Sequence, residues 1–272
     1  MITTPSAQNI CYTCGVRYGT FTIPGICEIC ADERQYTGFS GQIWISYNEL
    51  AAKSCIRFSR LQATIYDLRI TPAFAIAQKA YLVLSSSGNI LWDCIPFIDD
   101  QTIAYIRSLG GIRAIAISHP HYYSLMQEWA TAFDCPIYLH EADKEWIKDP
   151  GGYIELWNGC KKELWDHISI VHVGGHFAGS TVLHLPDHGK AGSLLTGDSI
   201  YIGPSRKHMA FMYSYPNHIP LPVKDIAYIR EQVQPLAFDA MYGAFEWMNI
   251  SEGAKQLFDK SVCRYMHIFD AT

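Results

Sequence analysis

The chain has 272 residues, a formal net charge of -5, and 49% hydrophobic against 17% charged residues. That length holds one large domain, or a medium domain with a small appendage, and the composition excludes a disordered chain. The acidic balance excludes a general attraction to nucleic acid or to an anionic membrane, so neither is expected as a partner. No apolar run reaches the length of a bilayer span, and the opening MITTPSAQNICYTC has no basic flank followed by an apolar stretch. The expectation is a soluble, cytoplasmic protein.

The first forty residues form their own module. Four of the nine cysteines, Cys11, Cys14, Cys27 and Cys30, fall here as two C-x2-C pairs separated by twelve residues. Two matched pairs can close a tetrahedron of thiolates around one zinc ion, and about thirty residues cannot build a core without such help. Cys55, Cys94, Cys135, Cys160 and Cys263 are scattered, so the pattern opposes a disulfide framework. Arg17 and Arg34 are offset by Glu28, Asp32 and Glu33, which favours a folding or docking role over nucleic-acid binding. With no open coordination position, the zinc is expected to be structural and separable from activity. Gly38 to Gly41 reads as the linker, giving a knuckle over 1–40 and a main domain over 41–272.

Strand signals follow at 63–70 and 80–84, then the turn SSSGN and a strand at 90–94, so 81–94 reads as a hairpin. A helix is predicted over 102–109, stopped by Gly110 and Gly111. A buried strand over 112–117 and a helix over 124–133 come next, then strands at 136–139, 168–173, 181–185 and 193–196. A helix over 224–233 precedes a last short strand at 238–242. There is no internal repeat, and the mixed order predicts a layered α/β architecture.

Three strand ends carry the chemistry. IRAIAI runs into SHPHYYS, placing His119 and His121 on one side of an extended chain, a natural metal pincer. Alone, that pair is equally compatible with two exposed loop histidines. In VHVGGHFAGSTVLHLP, Gly174, Gly175 and Gly179 let the backbone turn tightly and project His176. In SLLTGDSI, Gly197 delivers the carboxylate of Asp198, although Gly-Asp turns are common. His140 and His184 read as core or structural, and His172, alternating with Val171 and Val173, is compatible with either face of its strand. His208 and His218 flank the aromatic MAFMYSYPN, a candidate substrate lid or a contact in a homo-oligomer.

In this order the clusters resemble the metallo-β-lactamase superfamily over roughly residues 60 to 250. The family pattern is H-x-H-x-D-H, then a GH-x-x-G-S turn, then a GD strand end, then Gly-His. The chain offers His119-Pro120-His121-Tyr122-Tyr123-Ser124, Gly175-His176-Phe177-Ala178-Gly179-Ser180 and Gly197-Asp198. Asp93, in LWDC, occupies the place of an early supporting aspartate. The resemblance implies a four-layer αβ/βα sandwich with metal at one edge. It implies His119, His121 and His176 as ligands of the first ion, with Asp198 binding or bridging it. Tyr123, Ser124 and Ala244 stand where the family keeps second-metal ligands, so a mononuclear site is expected. Three histidines and a carboxylate suit zinc, ahead of iron or manganese.

The activity so implied is hydrolysis of a small-molecule ester, thioester, lactone or amide, with Asp198, Tyr122 and Tyr123 as catalytic candidates. A phenol is a poor base but a usable hydrogen-bond donor, and aromatic packing is an equal alternative for both tyrosines. Their rings, or ordered water, are expected to fill the second-metal space, with His218 as a recruit that would restore a second ion. The rival readings are a catalytically reduced metal-binding member, a nuclease, and an iron-dependent oxidation enzyme on the same fold. The acidic charge and lost second-metal ligands oppose the nuclease.

Overall fold

The computed structural model describes residues 6–19 and 23–269. Of the opening stretch read for a targeting signal, residues 1–5 therefore lie outside it. The chain forms two compact units, Met1–Leu139 with Lys144–Leu156, and His140–Asp143 with Trp157–Thr272. Among the described residues no helix is long and apolar enough to cross a membrane.

The first unit begins with the knuckle. Strand β1 (Gln8–Cys11) leads to the short helix α1 (Glu28–Ala31), and then β2 (Trp44–Ser46) returns to pair antiparallel with β1. The turn at Gly38–Gly41, closed by Gly41 N–H to Gly38 carbonyl (2.8 Å), thus sends the chain back into the knuckle. Helix α2 (Tyr47–Ala51) follows, opened by a reciprocal cap between Ser46 and Glu49. A seven-stranded sheet then runs in order through β3 (Cys55–Arg60), β4 (Ile65–Thr71), β5 (Ala80–Val83), β6 (Ile90–Trp92), β7 (Ala114–Ala116), β8 (Ile137–His140) and β9 (Ile154–Trp157). β3 to β6 are antiparallel, so short turns suffice. β6, β7 and β8 are parallel and need crossovers, supplied by α3 (Asp100–Ser108) and α4 (Met126–Phe133). Parallel neighbours end on the same edge, which brings Asp93 after β6 beside Ser118 and His119 after β7. The link is direct, since Asp93 Oδ1 accepts the N–H of Ser118 at 2.7 Å.

The second unit is built on a six-stranded sheet, in the order β10 (Lys161–Glu163), β11 (Ser169–His172), β12 (Thr181–Leu185), β13 (Ser193–Leu195), β18 (Ala240–Tyr242), β19 (Asn249–Ile250). Between β13 and β18 come two small hairpins, β14 (Tyr201–Ile202) with β15 (Met209–Ala210) and β16 (Met212–Ser214) with β17 (Ile219–Pro220), and helix α5 (Val223–Val233). β18 lies parallel to β13. Helix α6 (Ala254–Phe269) closes the chain. Val171, Val182, Leu194, Ile226, Ile229, Met241, Phe258 and Val262 share one buried core, so one sheet face and the inner faces of both helices exclude water together.

Candidate metal centres

The knuckle gathers its four cysteines into one buried group whose sulfurs all lie within 4.8 Å of one another. Cys11 and Cys30 Sγ are 3.6 Å apart, Cys14 and Cys27 Sγ 3.8 Å. A tetrahedron with zinc–sulfur bonds of about 2.3 Å has edges of about 3.8 Å, so the donor set fits that ion. Gln42 Nε2 donates to Cys11 Sγ (3.3 Å) and Tyr18 Oη to Cys27 Sγ (3.6 Å), contacts that stabilise thiolates. Gly15, immediately after Cys14, has φ +77°, and a Cβ there would stand 2.6 Å from the Pro96 side chain. Only glycine lets the knuckle approach that loop so closely.

The second group is His119, His121, His176 and Asp198. All four are buried, and one donor atom from each lies within 4.8 Å of the other three. His119 and His121 leave β7 on either side of Pro120 in the 3-10 turn Pro120–Tyr122. Their rings stand 5.0 Å apart, and Ser118 Oγ lies 2.9 Å from His119 Nδ1, which leaves Nε2 for a metal. His176 sits at the tip of the β11–β12 connection. Its Nδ1 is 2.9 Å from the Tyr213 carbonyl and 3.2 Å from that of Met212. Carbonyls only accept, so Nδ1 carries the proton and Nε2 is the nitrogen left with a lone pair to offer an ion. That Nε2 lies 3.9 Å from Asp198 Oδ2. Zinc with nitrogen and oxygen ligands has tetrahedral edges of about 3.4 Å, so a small closure would seat the ion.

Several residues that hold this group escaped the sequence reading. Asp143 Oδ1 accepts the N–H of Gly179 (2.7 Å), and a Cβ on Gly179 would lie 2.7 Å from Asp143 Cγ. Tyr215 donates from Oη to the Asp198 carbonyl (2.6 Å) and packs edge-on to His176. The 208–218 stretch, expected as a lid or oligomer contact, thus supplies the carbonyls and ring that fix His176. Tyr122 and Tyr123 are both buried, and the Tyr122 ring meets His119 edge-on at 4.4 Å. His218 is exposed, and the group found among the described residues does not include it.

The discounted histidines have structural partners. His140 stacks on His172 (4.3 Å between ring centres), and His172 Nε2 lies 2.8 Å from the Ala178 carbonyl. His184 Nε2 lies 2.8 Å from the Ala237 carbonyl.

No protein-family model matches the sequence. The uncharacterized protein YmaE of Bacillus subtilis (strain 168) is 42% identical over 262 residues, covering 94% of this chain and 95% of that one. Among solved structures, a Cronobacter sakazakii metallo-β-lactamase with a HARLDQ motif matches with TM-score 0.55 and 13% identity, over 82% of this chain and 98% of that one. The DIM-1 metallo-β-lactamase matches with TM-score 0.55 and 14% identity, over 76% and 95%. TTHA1623 in a di-iron-bound form matches with TM-score 0.53 and 17% identity, over 72% and 97%. The likeness to YmaE runs the length of both chains and the solved structures share the architecture, so the chain belongs to the YmaE family and has the metallo-β-lactamase fold.

Proposed function

We propose that the protein is a mononuclear metal-dependent hydrolase of a small ester, thioester, lactone or amide. The carrying observation is the buried convergence of His119, His121, His176 and Asp198 donors within 4.8 Å. A divalent ion held there supplies a Lewis acid and brings the pKa of water toward neutrality. Zinc is the ion that best suits three imidazoles and a carboxylate, ahead of iron or manganese. The chain's own part is orientation and proton handling. Ser118 and the Met212 and Tyr213 carbonyls fix the ring nitrogens of His119 and His176. The Asp198 carboxylate offers an oxygen to accept the nucleophile's proton. The Tyr122 ring packs against His119, and the phenols of Tyr122 and Tyr123 are the candidate donors for charge developing on the substrate. Tyr123, Ser124 and Ala244 offer no charged ligand, which supports one ion here beside a structural zinc in the knuckle.

Metal analysis of the purified chain tests this, followed by a panel of activated esters, thioesters, lactones and amides. Two ions per chain are expected, falling to one in His121→Ala and in His176→Ala, with hydrolysis reduced at least about 100-fold. Hydrolysis that survives His121→Ala intact overturns the proposal. Anomalous peaks roughly 3.5–4 Å apart at this group would overturn its mononuclear part. Iron content with oxygen consumption would replace hydrolysis by oxidation.

A further inference from the structure

Arg17, three residues past Cys14, ties the knuckle to the segment that follows His121. Its main-chain N–H donates to the Ser124 carbonyl (3.2 Å). Its guanidinium pairs with Glu128 in α4 and stands 3.6 Å from Asp149. The pair is buried, each residue 8% exposed. Ser124 has φ +39°, in the left-handed region that a non-glycine residue keeps only when its surroundings hold it. Here they do: besides the Arg17 contact, Ser124 Oγ accepts from Gln78 Nε2 (3.0 Å), which also reaches the Cys94 carbonyl (3.2 Å). Ser124 occupies the slot where the resemblance places a second-metal histidine. That position has exchanged a ligand for a clasp, and the knuckle holds the other side of the clasp.

We propose that Arg17 is a positioning residue through which the four-cysteine knuckle sets the geometry of the His119–Ser124 turn, so that knuckle occupancy tightens ion binding at the histidine group. This rests on the reading of His119 and His121 as ligands given above, and it replaces the expectation that the knuckle is separable from activity. A four-cysteine module without its ion loses its fold. Arg17 then withdraws its main-chain N–H from the Ser124 carbonyl and leaves Glu128 with a buried, uncompensated charge. The turn samples other conformations, and apparent affinity falls with the fraction still competent to bind.

Cobalt(II) titration of the full chain, with a competing chelator, tests this. Thiolate-to-cobalt charge transfer marks the knuckle, and the d–d bands of the imidazole and carboxylate site are followed separately. Arg17→Ala keeps the main-chain N–H but removes the guanidinium whose pairing with Glu128 holds that contact in place. It is expected to weaken the histidine-group ion on the order of tenfold and to shift its d–d bands, a change that lost stability alone does not produce. Arg17→Lys should recover part of the affinity, and Cys14→Ser should act in the direction of Arg17→Ala. Glu28→Ala removes the knuckle's outer pairing with Lys148 and should leave the affinity unchanged. If Arg17→Ala does not fold, Arg17→Lys and Glu128→Gln carry the comparison, each expected to fall below the wild type. Wild-type affinity in the Arg17, Glu128 and Cys14 variants overturns the proposal while sparing the metal site. Equal weakening in Glu28→Ala overturns the assignment to Arg17. A wild-type chain with no histidine-group ion overturns the functional reading, and this inference falls with it.

Discussion

Asp143 shows how a candidate metal ligand is held by a residue outside the ligand group. Its carboxylate is 1% exposed and takes the Gly179 amide at 2.7 Å, three residues past His176. Removing the acceptor strands a buried donor, which costs about 1–3 kcal/mol. Asp143→Ala should therefore lower stability by that amount and weaken the histidine-group ion by roughly tenfold, while Asp143→Asn keeps an acceptor and recovers most of both. Urea unfolding and chelator competition read the two effects, and an alanine variant unchanged in both would show that the turn holds itself. The gathering of His119, His121, His176 and Asp198 was legible because candidate donors at strand ends leave a local signature of spacing and glycine. Asp143 was not legible, because EADKEW is an ordinary polar stretch and its partner lies thirty-six residues away. Tyr215 was hidden in the same way: its aromatic segment was visible, but its direction toward Asp198 is a tertiary fact.

At the scale of elements, buried strands were readable and half-exposed ones were not. β12 stands at the predicted 181–185, and the hairpin read at 81–94, α3, α4 and α5 fall within a few residues of prediction, because each carries a dense apolar pattern. β3 alternates exposed and intermediate residues, so no apolar run announced it. The larger omission is α6, the sixteen-residue helix at the chain's end. Ala254, Phe258 and Val262 repeat every four residues and are fully buried, but Ser261 interrupts the stripe. The hydroxyl is there for a partner, accepting the Met209 amide at 3.0 Å. Phe258 packs edge-on to Phe211 and Phe238 in the core. Phe258→Ala should cost about 3–5 kcal/mol, the usual range for emptying a buried aromatic site. Denaturant unfolding measures it, and a loss below about 1 kcal/mol would show that α6 is not part of that core.

For the molecule as a whole, pH acts through histidines the fold keeps neutral. Burial lowers His184 from its usual 6.5, and burial together with the stacked His172 lowers His140. Below pH 6.5 the unfolded chain takes up protons that these two sites refuse, so stability falls as the pH drops and recovers on returning to neutrality. The limiting slope is about 1.4 kcal/mol per pH unit for each proton. His167 works in the opposite sense, since its hydrogen bond to Asp187 raises its pKa, but that pair is exposed and solvent screens it. Glu49 and Glu252, held low by Ser46 and Lys190, titrate below 4.5 and do not enter this window. Acid would also strip metal from both candidate centres, because thiolates and imidazoles must be deprotonated to bind. A pH dependence in the wild type alone therefore proves nothing about His140 or His184. The difference between chains does, since metal loss is common to all of them. Between pH 7.5 and 5.5, His184→Gln and His140→Gln should each lose less stability in urea unfolding than the wild type, and the double variant less again. If all four chains fall in parallel, these histidines are not the source, and the acid sensitivity belongs to the metal ligands.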